Sequence, residues 1–153
     1  MSEQPQQQIF SIEKIYLKDM SLEIPNAPQV FAERESPRVD INLHNEVKLI
    51  ENGIYEVTLT ATVTAKHNDK TAFLVEAAQA GIFQIRNYPQ EELAAVINVT
   101  CPRTLLPYAR ETVANILSRA GFPPVVLPHV GFESIYQERL QEQQGQAGAA
   151  PAA

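Results

Sequence analysis

A nucleophile needs a base beside it, a metal needs clustered ligands, and acid–base catalysis needs paired carboxylates. Cys101, the only cysteine, precedes Pro102 and Arg103 at an expected helix start, where a cation and the helix dipole would lower a thiol pKa. No histidine is spaced to serve as its base, so a small buried side chain is the expected role. His44, His67 and His129 are isolated and show no zinc-ligand spacing. Glu91-Glu92 falls in the first turn of an expected helix, where acids complement the dipole. The six glycines are scattered, with no phosphate-cradling loop and no G-x-S-x-G elbow. The residues therefore point to no catalytic centre, no metal and no cofactor.

Two features could bind without chemistry. Asp19 and Glu23 stand four apart in an alternating stretch, hence on one strand face and roughly 13 Å apart. An ordinary solvated strand face is one reading; the other is a docking surface for a basic partner, extended by Glu76 if its strand lies close. The second feature is Gly121-Phe122-Pro123-Pro124-Val125-Val126-Leu127-Pro128, an apolar loop where loops are normally polar. Val30-Phe31 and a helix stripe could join it as a hydrophobic groove; packing on its own domain is the other reading.

The elements that must position these residues follow from periodicity. Phe10–Ile24, Val39–Ile50, Tyr55–Ala65 and Thr71–Ile85 alternate as strands, with Asn52-Gly53 and His67–Lys70 as turns. In the first, Phe10, Ile12, Tyr16, Met20, Leu22 and Ile24 share one face. In the last, Phe73, Val75, Ala77 and Phe83 oppose Leu74, Ala78, Ala80 and Ile82, so both faces are apolar and a second subunit is expected to cover one. Pro25–Pro37 is long for a hairpin and suggests a crossover. Asn87 and Gln90 resemble a capping box, followed by Leu93, Val96 and Ile97 at helical spacing, and Pro102 should end that helix. Thr104 should cap a second helix with the stripe Leu105, Ala109, Val113, Ile116, Leu117 and Ala120, stopped by Gly121. A third helix is expected near Phe132–Gln143. Strands followed by helices give an α+β fold with an antiparallel sheet.

The chain has 153 residues and a formal charge of −6, which bounds it to one domain burying roughly 70% of its unfolded surface. An acidic balance excludes a nucleic-acid surface and adhesion to anionic membranes. No apolar run suits a membrane span, and Met1–Gln8 lacks the features of a secretory signal, so a cytoplasmic protein is expected. One cysteine excludes an internal disulfide and fits a reducing compartment. Residues 1–8 and 141–153 are too polar or too small-residued to order, which leaves 9–140 as the domain.

Three sets of residues resemble one family. Ile15-Tyr16-Leu17-Lys18-Asp19-Met20-Ser21-Leu22-Glu23-Ile24-Pro25-Asn26-Ala27-Pro28 is similar to the N-terminal signature of SecB, the bacterial protein-export chaperones. Thr71–Glu76 with Ala80–Phe83 resembles its fourth strand. Cys101-Pro102, Leu106–Glu111 and Gly121-Phe122-Pro123 resemble its second helix and following loop. The resemblance implies a four-stranded antiparallel sheet with helices on one face, assembled as a tetramer from two dimers. It implies an ATP-independent holdase whose hydrophobic grooves keep non-native precursors translocation-competent. These are delivered to SecA, the translocase ATPase, whose basic zinc-containing C-terminal segment docks on acidic sheet surfaces.

By position, the family's SecA contacts fall on Asp19, Glu23, Leu74 and Glu76, and its assembly positions on Phe73, Val75, Ala77 and Gln79. Groove candidates are Val30, Phe31, Leu105, Tyr108, Val113, Ile116, Leu117, Phe122, Val126 and Leu127. Glu35 stands where the family often carries Trp, and the chain has no Trp. Other readings from the residues are a small oligomeric enzyme of hotdog type and a self-assembling interaction module. The hotdog arrangement usually sets a long helix among its strands, whereas here the helices follow all four.

Overall fold

The computed structural model describes residues 6–148. Four strands, β1 (Ile9–Glu23), β2 (Arg38–Glu51), β3 (Ile54–His67) and β4 (Lys70–Arg86), form one antiparallel sheet in the order β1-β4-β3-β2. The two outer strands are therefore consecutive in sequence. The expected crossover carries the chain between them, through a cis Ala27–Pro28 bond and a single 3₁₀ turn at Gln29–Ala32. Asn52-Gly53 closes the β2–β3 hairpin, with Gly53 at φ +76°, a conformation that costs other residues more.

Alternation in β3 and β4 puts Val57, Leu59, Ala61, Val63, Phe73, Val75, Ala77 and Phe83 on one buried face. The helices α1 (Gln90–Ala95), α2 (Cys101–Arg119) and α3 (Phe132–Gly148) follow. α2 packs on β3 and β4 through the i+4 row Leu105, Ala109, Val113 and Leu117, all fully buried. Gly121 ends α2 at φ +92°. Its N–H donates to Ser118 O and that of Phe122 to Leu117 O, the two bonds of a Schellman turn.

Several expectations fail for identifiable reasons. Asn87 does not cap α1: it sits at φ +66° and its Nδ2 donates to Gln7 O, while Pro89 takes the cap position. Nor does Pro102 break the helix. A π-helical turn, Val96–Thr100, joins α1 directly to α2, and Cys101 N–H donates to Val96 O five residues back. Continued at that spacing, the partner of Ile97 O would be Pro102, which has no N–H. The side chain of Asn45 on β2 replaces it, donating Nδ2 to Ile97 O at 3.3 Å. Thr104 is likewise not a cap but a mid-helix residue whose hydroxyl donates to Thr100 O.

β1 is not one uninterrupted alternation. Irregularities between Ile12 and Lys14 and between Leu17 and Asp19 shift its register against β4, and each extra residue moves the following side chains to the other face. Tyr16 pairs with Ala80, whereas Met20 pairs with Ala77, so these two residues lie on opposite faces. α3 runs to Gly148, through residues 141–148 of the segment expected to be a tail. The remainder of both expected terminal segments, 1–5 and 149–153, lies outside the described residues.

Candidate functional site

The face of the sheet away from the helices holds the acidic residues. In register, Asp19 lies opposite Ala78, Ser21 opposite Glu76 and Glu23 opposite Leu74. Paired residues of an antiparallel ladder share a face, so the second irregularity in β1 places Asp19, Glu23, Leu74 and Glu76 together. Asp19, Glu23 and Glu76 are exposed and Leu74 is half-buried. The local cation is engaged elsewhere: Lys18 Nζ binds Glu56 Oε1 at 2.7 Å.

Tyr16 also donates to Glu56, reaching from β1 across β4 to β3. Burial, then this bond, pushes the Tyr16 hydroxyl up to about 12, while the Lys18 and Tyr16 hydrogen bonds hold Glu56 below its ordinary value. Ala80, opposite Tyr16, is fully buried within the single chain, and Ala78 and Ile82 are half-buried. The second apolar face of β4 is thus partly covered by this chain's own side chains, and no second subunit is needed to bury Ala80.

Two clefts of the helical face border β2. One, of about 440 Å³, opens between the crossover and the loop after α2, lined by Val30, Phe31, Val39, Phe73, Phe122 and Val125, among others. Phe31, Phe122 and Phe73 stack in series, with centroids 5.1 and 4.8 Å apart. Gly121 permits this, because a Cβ there would lie 3.3 Å from the Phe31 ring. Glu35 lines the rim where an aromatic is usual in the resembling family. The second cleft, about 290 Å³, lies between β2 and α3, lined by Ile41, Leu43, Leu59, Phe132, Ile135 and Tyr136, together with Asn45, Asn98 and Arg139. Val39 borders one cleft and Ile41 the other. They are successive positions on one face of β2, roughly 7 Å apart, so the clefts adjoin along that strand.

The groove candidates divide. Phe31 is half-exposed and shares the first cleft with Phe122 and the largely buried Val30. Leu105, Val113, Leu117 and Leu127 are core: none has more than 1% of its surface exposed, because the first three sit on the row of α2 facing the sheet and Leu127 turns from the following loop into the core cluster. Val126 is 65% exposed but borders neither cleft. Tyr108 opens on a separate apolar hollow of about 420 Å³ between α2 and β1, with Ile15 and Leu17. Ile116 is half-buried and packs on the core.

The assembly positions Phe73, Val75, Ala77 and Gln79 are at most 4% exposed, so they cannot touch a second subunit directly as the chain stands. Gln79 donates to Tyr16 O and accepts from Thr112, which links β1 to α2. What the residue pattern alone missed is the part played by β2. Its inner face repeats Val39, Ile41, Leu43, Val47 and Leu49, and α2 covers β3 and β4 in preference to it, so Val47 and Leu49 stay about half-exposed.

Cys101 has no accessible surface, and burial pushes its thiol up to about 12, as expected of a packing residue. No group of three metal-ligating side chains occurs among the described residues, and none of their helices is long and apolar enough to cross a membrane.

Residues 3–143 match the family described as preprotein translocase subunit SecB. The chain belongs to the SecB family. It is 58% identical over 146 residues to the protein-export protein SecB of Methylobacillus flagellatus, covering 95% of this chain and 93% of that one. To the SecB of Chromobacterium violaceum it is 56% identical over 151 residues, 98% and 100% of the two chains. The fold is similar, at a TM-score of 0.66 and 20% identity, to a SecB-like chaperone of Mycobacterium tuberculosis solved in complex with a ChAD peptide from the HigA1 antitoxin. That match covers 79% of this chain and 90% of the other. SecB proteins are export chaperones and not enzymes, which removes the hotdog reading.

Proposed function

We propose that this SecB-family chain is an ATP-independent holdase. It binds non-native precursor proteins in the paired clefts, keeps them translocation-competent and delivers them to the SecA translocase ATPase in the cytoplasm as a homotetramer. The observation carrying this is the uncovered apolar floor of β2 between the crossover and α3. A stable monomer rarely leaves such a strip open without a ligand. Holding needs no nucleotide, because a protein that binds only the unfolded client shifts the client's equilibrium by mass action. Two adjoining clefts on one long client also act through effective concentration, so modest sites suffice.

Asp19, Glu23, Leu74 and Glu76 on the opposite face suit the basic C-terminal segment of SecA. Clients and SecA therefore use different faces of one sheet. Self-association draws on the β1 edge, where Ile12, Leu17 and Met20 are exposed and Leu17 borders the Tyr108 hollow. Phe73, Val75, Ala77 and Gln79 influence it by setting how α2 and β1 sit.

The test is the refolding of a chemically unfolded precursor with and without the chain, in the absence of nucleotide. Refolding slows as the chain is titrated in, and Phe31→Ala raises the concentration needed several-fold. Refolding at the uncatalysed rate at every ratio removes the holdase assignment.

A further inference from the structure

The irregularity that turns Asp19 onto the acidic face of the sheet brings a cation with it. In the pairing of β1 with β4, Leu17 faces Gln79 and Asp19 faces Ala78, so Lys18 is the extra residue between them. Its ammonium reaches Glu56 Oε1 at 2.7 Å. Glu56 of β3 stands opposite Ile82 of β4, and Ile82 and Ala78, four apart, share a face. Lys18 and its neighbour Asp19 therefore leave the bulge on the same side of the sheet. Glu56 is held from a second direction: the Tyr16 hydroxyl donates to the same carboxylate, and only 14% of the Glu56 side-chain surface is exposed. Two further lysines near Glu56 are remote from Asp19. Lys14 pairs with Ile82, four register positions along β4, and Lys48 faces Glu56 from β2, three strands away from β1. Both separations are roughly 14 Å. Of these three lysines, only Lys18 can reach Asp19.

We propose that Glu56 is a positioning residue for the docking of SecA: braced by Tyr16, it draws Lys18 away from Asp19 and keeps the acidic face unneutralised, without touching the partner itself. This rests on the docking reading of Asp19, Glu23, Leu74 and Glu76 and deepens it. A half-exposed lysine paired with a carboxylate adds little to stability, so the pair matters more for where it puts the positive charge. The bulge is needed to bring Asp19 onto the docking face, and Glu56 offsets the cation that the same bulge delivers.

The experiment is a double-mutant cycle on the full chain, measured by affinity for SecA at physiological salt. Glu56→Gln keeps the shape of the side chain and still accepts from Tyr16, but it releases Lys18. It is expected to weaken SecA binding about threefold, the size of one surface ion pair formed with Asp19. In a Lys18→Gln background the same substitution is expected to cost less than about 1.5-fold, because Glu56 stands two strands from Asp19 and its own charge is largely screened there. Circular dichroism checks that the four chains fold alike. Equal effects in the two backgrounds overturn the proposal and leave Glu56 as one more diffuse negative charge. No effect in either background overturns it as well. The combined Asp19→Asn, Glu23→Gln and Glu76→Gln chain separates the two readings. If that chain loses SecA while the cycle is additive, only the role of Glu56 falls. If it binds SecA as the unsubstituted chain does, the docking reading falls and the role of Glu56 with it.

Discussion

At the start of α2 the thiol of Cys101 is buried in the hydrophobic core, and its ionisation is coupled to folding. A free thiol titrates near 9, whereas burial pushes this one up to about 12. Since the folded chain holds the neutral form, its stability is fully present below about pH 9. Stability is then lost as pH rises toward 12, because only the unfolded chain releases the proton. Tyr16, ordinarily near 10 and pushed up to about 12 by burial and its bond to Glu56, adds in the same direction. Glu56 works the other way: held below its ordinary value, it contributes above the carboxylate range and loses that contribution in acid. The expected outcome is a urea midpoint that falls between pH 8 and 11, and falls less steeply in Cys101→Ala. Superimposable profiles for the two chains would mean that the thiol is not held neutral by the fold.

The element that departs most from expectation is the helix carrying that cysteine, and the cause lies in a distant strand. Pro102 removes a donor, the π turn displaces the gap to Ile97 O, and Asn45 fills it across 52 residues of sequence. In Pro102→Ala the helix can supply its own N–H. Asn45→Leu should therefore cost about 1–3 kcal/mol in the native sequence and markedly less in the Pro102→Ala background. A double-mutant cycle by chemical denaturation measures the coupling, and additive effects would separate Pro102 from the carbonyl that Asn45 caps.

The same helix shows what could be read from sequence. Strand faces in β3 and β4, the crossover, the Gly121 stop and the α2 row Leu105–Leu117 all follow from local periodicity or local turn chemistry. The helix through Pro102, the β1 register shifts and the vacant Asn87 cap depend on partners remote in sequence, which periodicity does not encode. The groove was half legible for that reason. Apolar helix residues cannot be sorted into core and cleft until it is known which strands the helix covers. Leu105, Val113, Leu117 and Leu127 consequently belong to the core, while Val39, Ile41 and Leu43 form the groove floor.

At the scale of the whole molecule, a formal charge of −6 attracts any basic chain weakly, and a docking site has to be distinguished from that general pull. The arrangement here makes the distinction testable. β1 and β4 bring Asp19, Glu23 and Glu76 onto one sheet face, with Lys18 turned to Glu56 instead of neutralising Asp19. Glu91, Glu92 and Glu138 are also exposed, but they stand on the helices. Converting either trio to the corresponding amides changes the formal charge by the same three units, from −6 to −3. If the sheet face is the site, Asp19→Asn with Glu23→Gln and Glu76→Gln weakens SecA binding at least tenfold, whereas the helix trio changes it by less than about twofold, since charges beyond roughly 8–10 Å are screened at physiological salt. Client holding should be unchanged in the sheet trio, because the clefts open on the opposite face, and both trios should sediment as the unsubstituted chain does. Equal losses in the two trios would reduce the acidic face to general electrostatic attraction. Loss of holding in the sheet trio would mean that the two faces are coupled, as they could be through the Thr112–Gln79–Tyr16 hydrogen bonds that connect α2 to β1.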